Sequence, residues 1–415
     1  MSDAFPAHAA AGNDGGELFK TRVRPLLLLT LLFFMNFMAR IIQAPLMPAI
    51  EKDLGITHAE AGSLFFILSA GYFITLMGSG FVSARLTHRR TMVLSIACAG
   101  MALLATAASE GLLGIRIGLF LIGLSTGLYL PSAIAAITGF VSMRHWGKAI
   151  AIHEAAPNLA FVLAPLFAEA LLWLYPWRTA LACLGVSALL AGGIFQMFGR
   201  VGSFAGEVPN LRSIGALVRQ PSYWAMILLF GLGISGSLGI YTMLPLFLVS
   251  AHGLERDFAN MLLALSRIPC VLAALGSGWV TDRIGPKRTM VLILALNGCV
   301  TVVLGVAPIS WLPILVFIQP ALVACFFPAG FAAIGRIAPT GTRNIAISMV
   351  TPFAFMIGAG AVPALIGWAS DLHSFSAGFL LVGGLTVAGA LMPGFLKLDP
   401  SGRREVNLSS PVSRK

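Results

Sequence analysis

Charged side chains are scarce in this sequence. Aspartate, glutamate, lysine and arginine make up 10% of its 415 residues, whereas 58% are hydrophobic and the mean hydropathy is +0.90. A soluble domain has roughly a quarter of its residues charged. The composition therefore excludes a water-soluble globular protein and indicates a chain that is embedded in a lipid bilayer.

Cysteine and the common catalytic motifs are also scarce or absent. The five cysteines lie singly in apolar stretches without C-x-x-C spacing, so we expect neither disulfides nor a metal site. The sequence has no G-x-x-x-x-G-K-[ST] nucleotide loop and no H-E-x-x-H motif. No nucleophile and base are paired at catalytic spacing. We therefore expect neither an enzyme, nor catalytic residues, nor a cofactor.

Long apolar runs dominate what remains. A transmembrane helix needs about 20 mostly apolar residues, and twelve runs meet that criterion. They cover roughly residues 25–48, 60–84, 91–109, 112–140, 147–172, 178–199, 221–249, 258–281, 289–307, 311–335, 343–369 and 375–396. The predicted fold is an all-α integral membrane protein with twelve transmembrane helices.

Basic residues are distributed unevenly between the two sides of this arrangement. The net charge is +11, and 21 of the 27 lysines and arginines fall on the side that carries the chain ends. Cytoplasmic loops are enriched in these residues, so both termini are predicted to be cytoplasmic and the protein to lie in the inner membrane. The cations sort by side of the membrane and form no basic face, so we expect membrane lipid rather than nucleic acid as the surroundings. We also expect a monomer.

A repeated loop indicates an internal duplication. Residues 78–94 read GSGFVSARLTHRRTMVL and residues 276–292 read GSGWVTDRIGPKRTMVL, at an offset of 198. Two halves of six helices follow, with the same orientation. The predicted parts are a cytoplasmic N-terminal tail (1–24), a first bundle (25–200), a cytoplasmic linker (201–220), a second bundle (221–396) and a cytoplasmic tail (397–415).

The twelve runs and the repeated loop resemble the major facilitator superfamily. Its loop motif G-x-x-x-D-R-x-G-x-x-R is matched in the second copy, whereas Ala84 and Thr87 replace the acid and the second glycine in the first. The resemblance implies the major facilitator fold of two six-helix bundles that open alternately to either side. It also implies a gating role for loop residues, namely Asp282, Arg283, Arg288, Arg85 and Arg90.

Spans one and four resemble parts of the organic anion:cation symporter group. Arg40 is similar to the arginine of its span-one D-R motif, and Arg116 begins an approximate R-x-x-x-G-x-x-x-G-x-x-x-P. Ala39 replaces the acid before Arg40, and Gly123 stands where those symporters can carry glutamate. Their proton pathway therefore does not transfer to this chain. The span-five G-P-x-x-G-G of drug antiporters is absent, which disfavours efflux.

Ionisable side chains within the spans are the main candidates for a binding site. Each costs about 2.5–3.5 kcal/mol at a helix centre, so we expect them to face the bundle interior. Counting along the helices at about 1.5 Å per residue places Arg40 and Arg116 at one level, and Arg267 and Glu154 near the midplane. Because guanidinium presents paired donors to carboxylate, we predict that the three arginines bind a small anion. Alternatively, Arg116 snorkels to the surface.

Glu154 is the predicted proton-coupling residue. Spans five and eight meet in the superfamily architecture, so we expect Glu154 to face Arg267 and to release it for the anion when protonated. His153 is expected to share the proton or to act as a plain hydrogen-bond partner. Glu169 is expected to face the outer vestibule or to pair with Arg178.

Uncharged polar and aromatic residues of the spans are weaker candidates, because packing explains each of them equally well. The predicted substrate contacts are Gln43, Asn158, Tyr129 and Tyr241, with Tyr72, Ser266 and Gln319 as further polar candidates and Phe34, Phe326, Phe327, Phe353 and Phe355 as walls.

The sequence thus predicts a proton-coupled symporter of a small organic anion, most simply a carboxylate, that works by alternating access. The first alternative is efflux of a drug-like or cationic compound by proton antiport. The second is a membrane receptor or sensor that does not transport.

Overall fold

The computed structural model describes residues 15–206, 215, 218–337 and 343–396. These residues are helical almost throughout and contain no strand. The predicted tail 397–415 lies outside the described residues, as do residues 1–14 of the other tail and half of the predicted linker.

Twelve spans within the described residues are long and apolar enough to cross a membrane, which confirms the predicted number. Numbered in chain order, they are Arg22–Leu54, His58–Leu86, His88–Ala108, Gly111–Phe140, Met143–Leu172, Trp177–Phe198, Pro221–Ala251, Arg256–Ile284, Pro286–Val306, Ile309–Ile337, Ser348–Leu372 and Phe375–Phe395. An even number of crossings puts both ends of this bundle on one face. We call it the terminal face, and the other the opposite face.

Several spans are longer than predicted, and the difference matters for the site. Span 1 continues to Leu54, where Gly55 supplies a left-handed cap with φ 61°. Spans 1, 2, 4, 5, 7, 8 and 10 each have between 29 and 33 residues. This length exceeds the roughly 20 residues that suffice to cross the hydrocarbon.

Proline interrupts several spans near their middle. Span 1 consists of helices Gly15–Ile41 and Gln43–Leu54, span 4 of Gly111–Thr126 and Tyr129–Phe140, span 8 of Arg256–Leu265 and Ile268–Ile284, and span 10 of Leu312–Ala324 and Phe326–Ile337. Each break comes just before a proline, at Pro45, Pro131, Pro269 or Pro328. Proline has no N–H for the carbonyl four residues earlier, so the helix bends there.

Spans 7 and 11 contain π-helical turns instead, at Ser235–Gly239, Phe247–Ala251 and Met356–Ala361. The remaining helices of these two spans are Pro221–Ile234, Ile240–Leu246, Arg343–Phe355 and Val362–Leu372. Such turns free backbone groups within the bundle and are frequent at functional sites.

The duplication extends to helix length. Spans 2 and 8 share both bounds at the offset of the repeated loop, and so do spans 3 and 9. The two loop copies also share a backbone turn, with φ 87° at Gly285 and φ 92° at Thr87. Threonine rarely adopts a positive φ, which costs roughly 1–3 kcal/mol, so the first loop keeps the geometry of glycine without the residue.

The two bundles of six spans touch most closely where spans 2 and 11 cross near the opposite face. A Cβ at Gly62 would lie 2.4 Å from the carbonyl oxygen of Pro363, and one at Gly367 would lie 2.1 Å from that of His58. Small residues of this kind let membrane helices approach closely. The two halves therefore meet there with backbone against backbone.

Candidate functional site

A small cavity lies between the two halves, about midway along the spans. Span 1 contributes Phe37, Arg40 and Ile41, span 2 contributes Phe65, Leu68, Ser69 and Tyr72, span 7 contributes Leu238 and Thr242, and span 11 contributes Phe355 and Ala359. About 30 Å³ is open to the centre of a water molecule, room for a few waters only. Arg40 supplies the one full charge of this lining.

Arg40 lies just before the break in span 1. Its side chain is only 8% exposed, and its guanidinium carbon is 4.3 Å from the ring centre of Tyr72, 4.8 Å from Phe37 and 5.5 Å from Phe355. Aromatic faces attract a cation, but they do not neutralise it. Among the described residues, no carboxylate forms an ion pair with Arg40, and its buried Nε has no hydrogen-bond partner.

Arg267 lies at the break in span 8, directly before the helix Ile268–Ile284. It is also 8% exposed. Its guanidinium carbon lies 4.3 Å from the ring centre of Phe161 and 4.6 Å from that of Tyr241, and its Nη2 donates to the carbonyl of Ser237 at 2.8 Å. Arg267 likewise has no ion pair with any carboxylate that the structure describes, and its Nε is unpartnered.

A row of three aromatic rings connects the two arginines. The Phe37 and Phe161 ring centres are 5.1 Å apart, and those of Phe161 and Tyr241 are 4.9 Å apart, both edge to face. Arg40 stacks on one end of the row and Arg267 on the other. Two buried cations without a counter-charge are costly, and this arrangement therefore favours an anion.

Arg116 does not join Arg40 and Arg267, contrary to the predicted three-arginine site, and of the three only Arg40 lines the cavity itself. Its Nη2 lies 3.7 Å from Oε1 of Glu60, and both side chains are more than a third exposed. An exposed pair of this kind contributes little to stability. The structure thus separates Arg116 from Arg40, as the snorkelling alternative implies.

Glu154 and Arg267 do not form the predicted pair. The ion-pair partner of Glu154 among the described residues is the neighbouring His153, with Nδ1 to Oε1 at 3.5 Å. His153 is fully buried, and its Nε2 lies 3.3 Å from the hydroxyl of Tyr129. That hydroxyl also donates to the carbonyl of Leu29 at 2.6 Å. The hydroxyl of Tyr129, a predicted substrate contact, therefore bonds other groups of the protein interior.

Of the other predicted substrate contacts, Gln43 and Tyr241 are buried and Asn158 is exposed. Gln43 is buried, and its Nε2 bonds the Ala39 carbonyl at 3.4 Å, one turn from Arg40. Asn158 is exposed, and its amide bonds the carbonyl of Glu154 at 3.1 Å. Tyr241 is buried against Arg267, as described above.

The sequence reasoning missed Ser69 and Thr242, two polar residues that line the cavity. One signal was present for Ser69, because the repeat offset of 198 aligns it with Arg267. For Thr242 no pattern in the sequence pointed to the site.

Glu169 does not pair with Arg178, so that alternative was wrong. Its oxygens accept from Nη2 and Nε of Arg256 at 2.8 and 3.2 Å and from the amide of Asn260 at 3.0 Å. Arg178 instead bonds Asp53. Because Glu169 belongs to span 5 and Arg256 to span 8, this pair holds the two halves together at the opposite face.

A second bridge at the opposite face involves Asp371, at the end of span 11. Its two carboxylate oxygens accept from the backbone N–H groups of His58 and Ala59 at 3.1 and 2.9 Å. These are the first residues of span 2, so the carboxylate also interacts with the positive end of a helix dipole. No ion pair joins the halves at the terminal face in the described part of the chain.

Comparison with known families agrees with this architecture. The profile of the Major Facilitator Superfamily matches residues 29–268 and 240–414, nearly the whole chain. The chain belongs to the major facilitator superfamily. It is therefore a multi-pass transporter of the inner membrane and not an enzyme.

Relatives within the superfamily carry different substrates. The chain is 24% identical to a probable L-galactonate transporter of Escherichia coli K12, covering 89% of this chain and 88% of the relative. It is 22% identical to the 4-hydroxybenzoate transporter PcaK of Pseudomonas putida, covering 90% and 92%. It is 19% identical to the multidrug resistance protein MdtL of Shewanella sp. strain ANA-3, covering 83% and 86%.

Solved structures support the fold alone. A bacterial homologue of the human lysosomal transporter Spinster, in an inward-facing and occupied conformation, superposes with a TM-score of 0.78 at 15% identity, over 93% of this chain and 97% of that one. The two-bundle architecture of the superfamily is thereby confirmed.

The superfamily loop motif differs in its surroundings between the two halves. In the first copy, the N–H groups of His88 and Arg89 donate to the carbonyls of Phe204 and Gly202, so residues after span 6 lie against this loop. In the second copy, Arg283 stacks on Trp279 at 3.9 Å. Asp282 has no ion pair among the described residues, and the gating roles of Asp282, Arg283, Arg288, Arg85 and Arg90 stay predictions.

Proposed function

We propose that this transporter moves a small organic anion, a carboxylate, together with protons by alternating access. One observation carries the proposal. Arg40 and Arg267 are both nearly buried between aromatic rings, and neither has a carboxylate partner among the described residues. A cation in such a place is destabilising until an anion joins it.

The chemistry of guanidinium favours a carboxylate over a neutral or cationic substrate. It remains charged at any accessible pH and offers two parallel N–H groups to paired oxygens. Two relatives support this direction, since L-galactonate and 4-hydroxybenzoate, the compounds in their names, are carboxylates. The aromatic row between Phe37 and Tyr241 would then support the body of the substrate.

The proposed proton carriers are Glu154 and His153. Glu154 lies 3.5 Å from His153 and is 46% uncovered by protein, and a carboxylate in a span is expected to face a water-filled cavity rather than lipid. Arg267 is held by Ser237 and two rings instead of by Glu154. The proton would thus act beside the anion site and not through an ion pair with Arg267.

The proposed orientation places the terminal face in the cytoplasm, because that face carries most of the basic residues. The opposite face is then the outer side. Its bridges, Glu169 to Arg256 and Asp371 to the start of span 2, would close the outer gate in this conformation and reopen when the halves rock.

The test is uptake by the purified protein in liposomes. Labelled 4-hydroxybenzoate and L-galactonate are offered to vesicles with an alkaline interior, and the variants Arg40→Gln and Arg267→Gln are compared with wild type. The exposed Arg144→Gln is the matched control. We expect both buried variants to lose uptake and the control to retain it. Normal uptake by either buried variant would show that the assigned anion site is wrong.

Efflux of a drug-like compound is the second candidate. The cavity walls are mostly apolar, and one relative is named for multidrug resistance. Two uncompensated arginines disfavour a cationic cargo. Export of ethidium from cells, combined with no rise in melting temperature of the purified protein in any carboxylate, would favour efflux.

A further inference from the structure

We propose that the transported proton is held on Nδ1 of His153, that it arrives through Glu154, and that Tyr129 is a positioning residue which keeps this nitrogen free to accept it. The inference rests on the proposed proton-coupled transport. It changes the assignment of Tyr129, which the sequence had indicated as a substrate contact.

The Tyr129 hydroxyl has a single hydrogen to donate. That hydrogen is used in the 2.6 Å bond to the carbonyl of Leu29, because a carbonyl can only accept. The hydroxyl oxygen then faces Nε2 of His153 at 3.3 Å as an acceptor. Nε2 must therefore carry a hydrogen, and in the neutral imidazole Nδ1 is left as the lone-pair nitrogen.

Nδ1 of His153 is buried and has no hydrogen-bond partner in the part of the chain that the structure describes. Its nearest acidic atom is Oε1 of Glu154 at 3.5 Å. An unpartnered acceptor in the interior is unfavourable, and a proton would satisfy it. The geometry thus leaves one vacant proton position, next to a carboxyl group that is partly uncovered.

The proposed step transfers one proton from the carboxyl group of Glu154 to Nδ1 of His153. The O–H bond of a protonated Glu154 breaks, and the lone pair of Nδ1 forms the new N–H bond. The products are a carboxylate and an imidazolium, which form an ion pair. Release toward the other side reverses the step, and no further reactant is needed.

The neighbours of His153 suit a group that is charged only part of the time. Span 1 places the ring of Phe33 flat against the imidazole, with centres 4.4 Å apart and planes 6° apart, and an aromatic face stabilises a cation. Among the described residues, the titratable groups that contact His153 are Tyr129 from span 4 and Glu154 from its own helix. Phe33, its contact from span 1, carries no charge.

Span 1 also connects this proton position to the anion site. Phe33 and Phe37 are one turn apart with ring centres at 6.3 Å, and Arg40 stacks on Phe37. The helix that packs on His153 is therefore the helix that positions Arg40. Charging His153 changes the contact with Phe33, and span 1 can carry that change to the anion site.

The first test separates driven uptake from exchange. Liposomes with wild type, His153→Gln or Glu154→Gln receive labelled 4-hydroxybenzoate, first with an inward proton gradient and then with unlabelled anion inside and no gradient. Glutamine can still donate to Tyr129 but cannot hold a proton. We expect both variants to exchange the label but to lose acceleration by the gradient, whereas the exposed His373→Gln behaves as wild type. Gradient-driven uptake by His153→Gln would overturn the proposal.

The second test reads the imidazole directly and does not depend on transport. Nitrogen-15 spectra of histidine-labelled protein at alkaline pH should show His153 with hydrogen on Nε2, assigned by its absence in His153→Gln. Tyr129→Phe removes the hydroxyl, so both tautomers should appear and the pH profile of uptake should shift, with about tenfold slower driven uptake and an unchanged KM. A wild-type spectrum with hydrogen on Nδ1 would refute the inference.

The two tests also separate this inference from the proposed function. If wild type neither takes up nor exchanges any carboxylate, the proposed function fails. The nitrogen-15 spectra still decide the state of His153 in that case. If exchange occurs but His153→Gln remains proton-driven, the function stands and the inference fails.

Discussion

Arg40 and Arg267 are alike in their surroundings but not in their place in the repeat. Both are 8% exposed, stacked on aromatic rings and unpaired at Nε. Spans 1 and 7 repeat at an offset of 197, at which Pro48 matches Pro245, and spans 2 and 8 at an offset of 198. By these offsets Arg40 corresponds to Ser237 and Arg267 to Ser69.

The two serines show how the two halves differ at equivalent positions. Ser69 lines the cavity beside Arg40, and the carbonyl of Ser237 accepts from Arg267. Arg267 thus bonds the position equivalent to Arg40, and Arg40 lines the cavity together with the position equivalent to Arg267. Each half thus has one arginine at these two equivalent positions. In the first half it is on span 1, and in the second half it is on span 8, so the two sides of the site are not equivalent.

A double-mutant cycle tests whether Arg40 and Arg267 act on the same anion. Each of Arg40→Gln and Arg267→Gln should lower kcat/KM for uptake by about 100-fold, the value of a charge-assisted hydrogen bond. If the arginines hold one anion together, the double variant should fall only about tenfold further. Losses that multiply in full would mean that the two arginines act on separate groups.

Substitution of each arginine by lysine tests what the guanidinium group contributes besides its charge. Arg267 stacks on two rings and also bonds the Ser237 carbonyl, and an ammonium group cannot do both. Arg267→Lys should therefore lower kcat/KM about tenfold and Arg40→Lys only about threefold. Equal losses, measured in the same uptake assay, would show that the two sides are equivalent after all.

Removal of the ring between the arginines is expected to have a smaller effect. Phe161→Leu removes the face on which Arg267 stacks and interrupts the row to Phe37, so KM should rise about fivefold with little change in the maximal rate. The exposed Phe81→Leu serves as control. An unchanged KM would contradict a role for the row in positioning Arg267.

The smallest predicted effect concerns Ser69, which occupies in the first half the position that Arg267 occupies in the second. Ser69 is one of the residues that line the cavity together with Arg40. Ser69→Ala should raise KM about two- to threefold, as expected for one neutral hydrogen bond. Ser187→Ala, at a partly exposed position of span 6, should not. A loss as large as that of Arg40→Gln would give Ser69 a greater role than that of a neighbour to Arg40.

Residue chemistry was predictable from the sequence, whereas depth in the membrane was not. Charged residues in apolar spans stand out, and Arg40 and Arg267 did so. Their predicted partners were wrong because depths were counted from opposite ends of helices taken to be short. In the structure, Arg267 and Phe161 each lie about three helical turns from the opposite-face end of their spans, at Arg256 and Leu172. They therefore share a level, and Phe161 takes the place that was predicted for Glu154.

The same error explains the other misplaced residues. Glu154 lies about two helical turns from Phe161, on the same side of span 5 but nearer the terminal face. Arg116 lies less than two turns from the opposite-face end of span 4, whereas Arg40 lies about four turns from that end of span 1. Spans longer than the bilayer requires can slide and tilt, so apolar length alone does not set the level of a side chain.

The contact of Gly62 and Gly367 with carbonyl groups of the facing span has a kinetic consequence. Under the proposed alternating access, these surfaces part during transport, and the two glycines contribute no side chains that would have to change rotamer there. The carboxylates of Asp371 and Glu169, which bridge the halves at the opposite face, would then limit the movement. A single methyl group at Gly367 would act as a wedge, biasing the resting protein toward the state in which the opposite face is open.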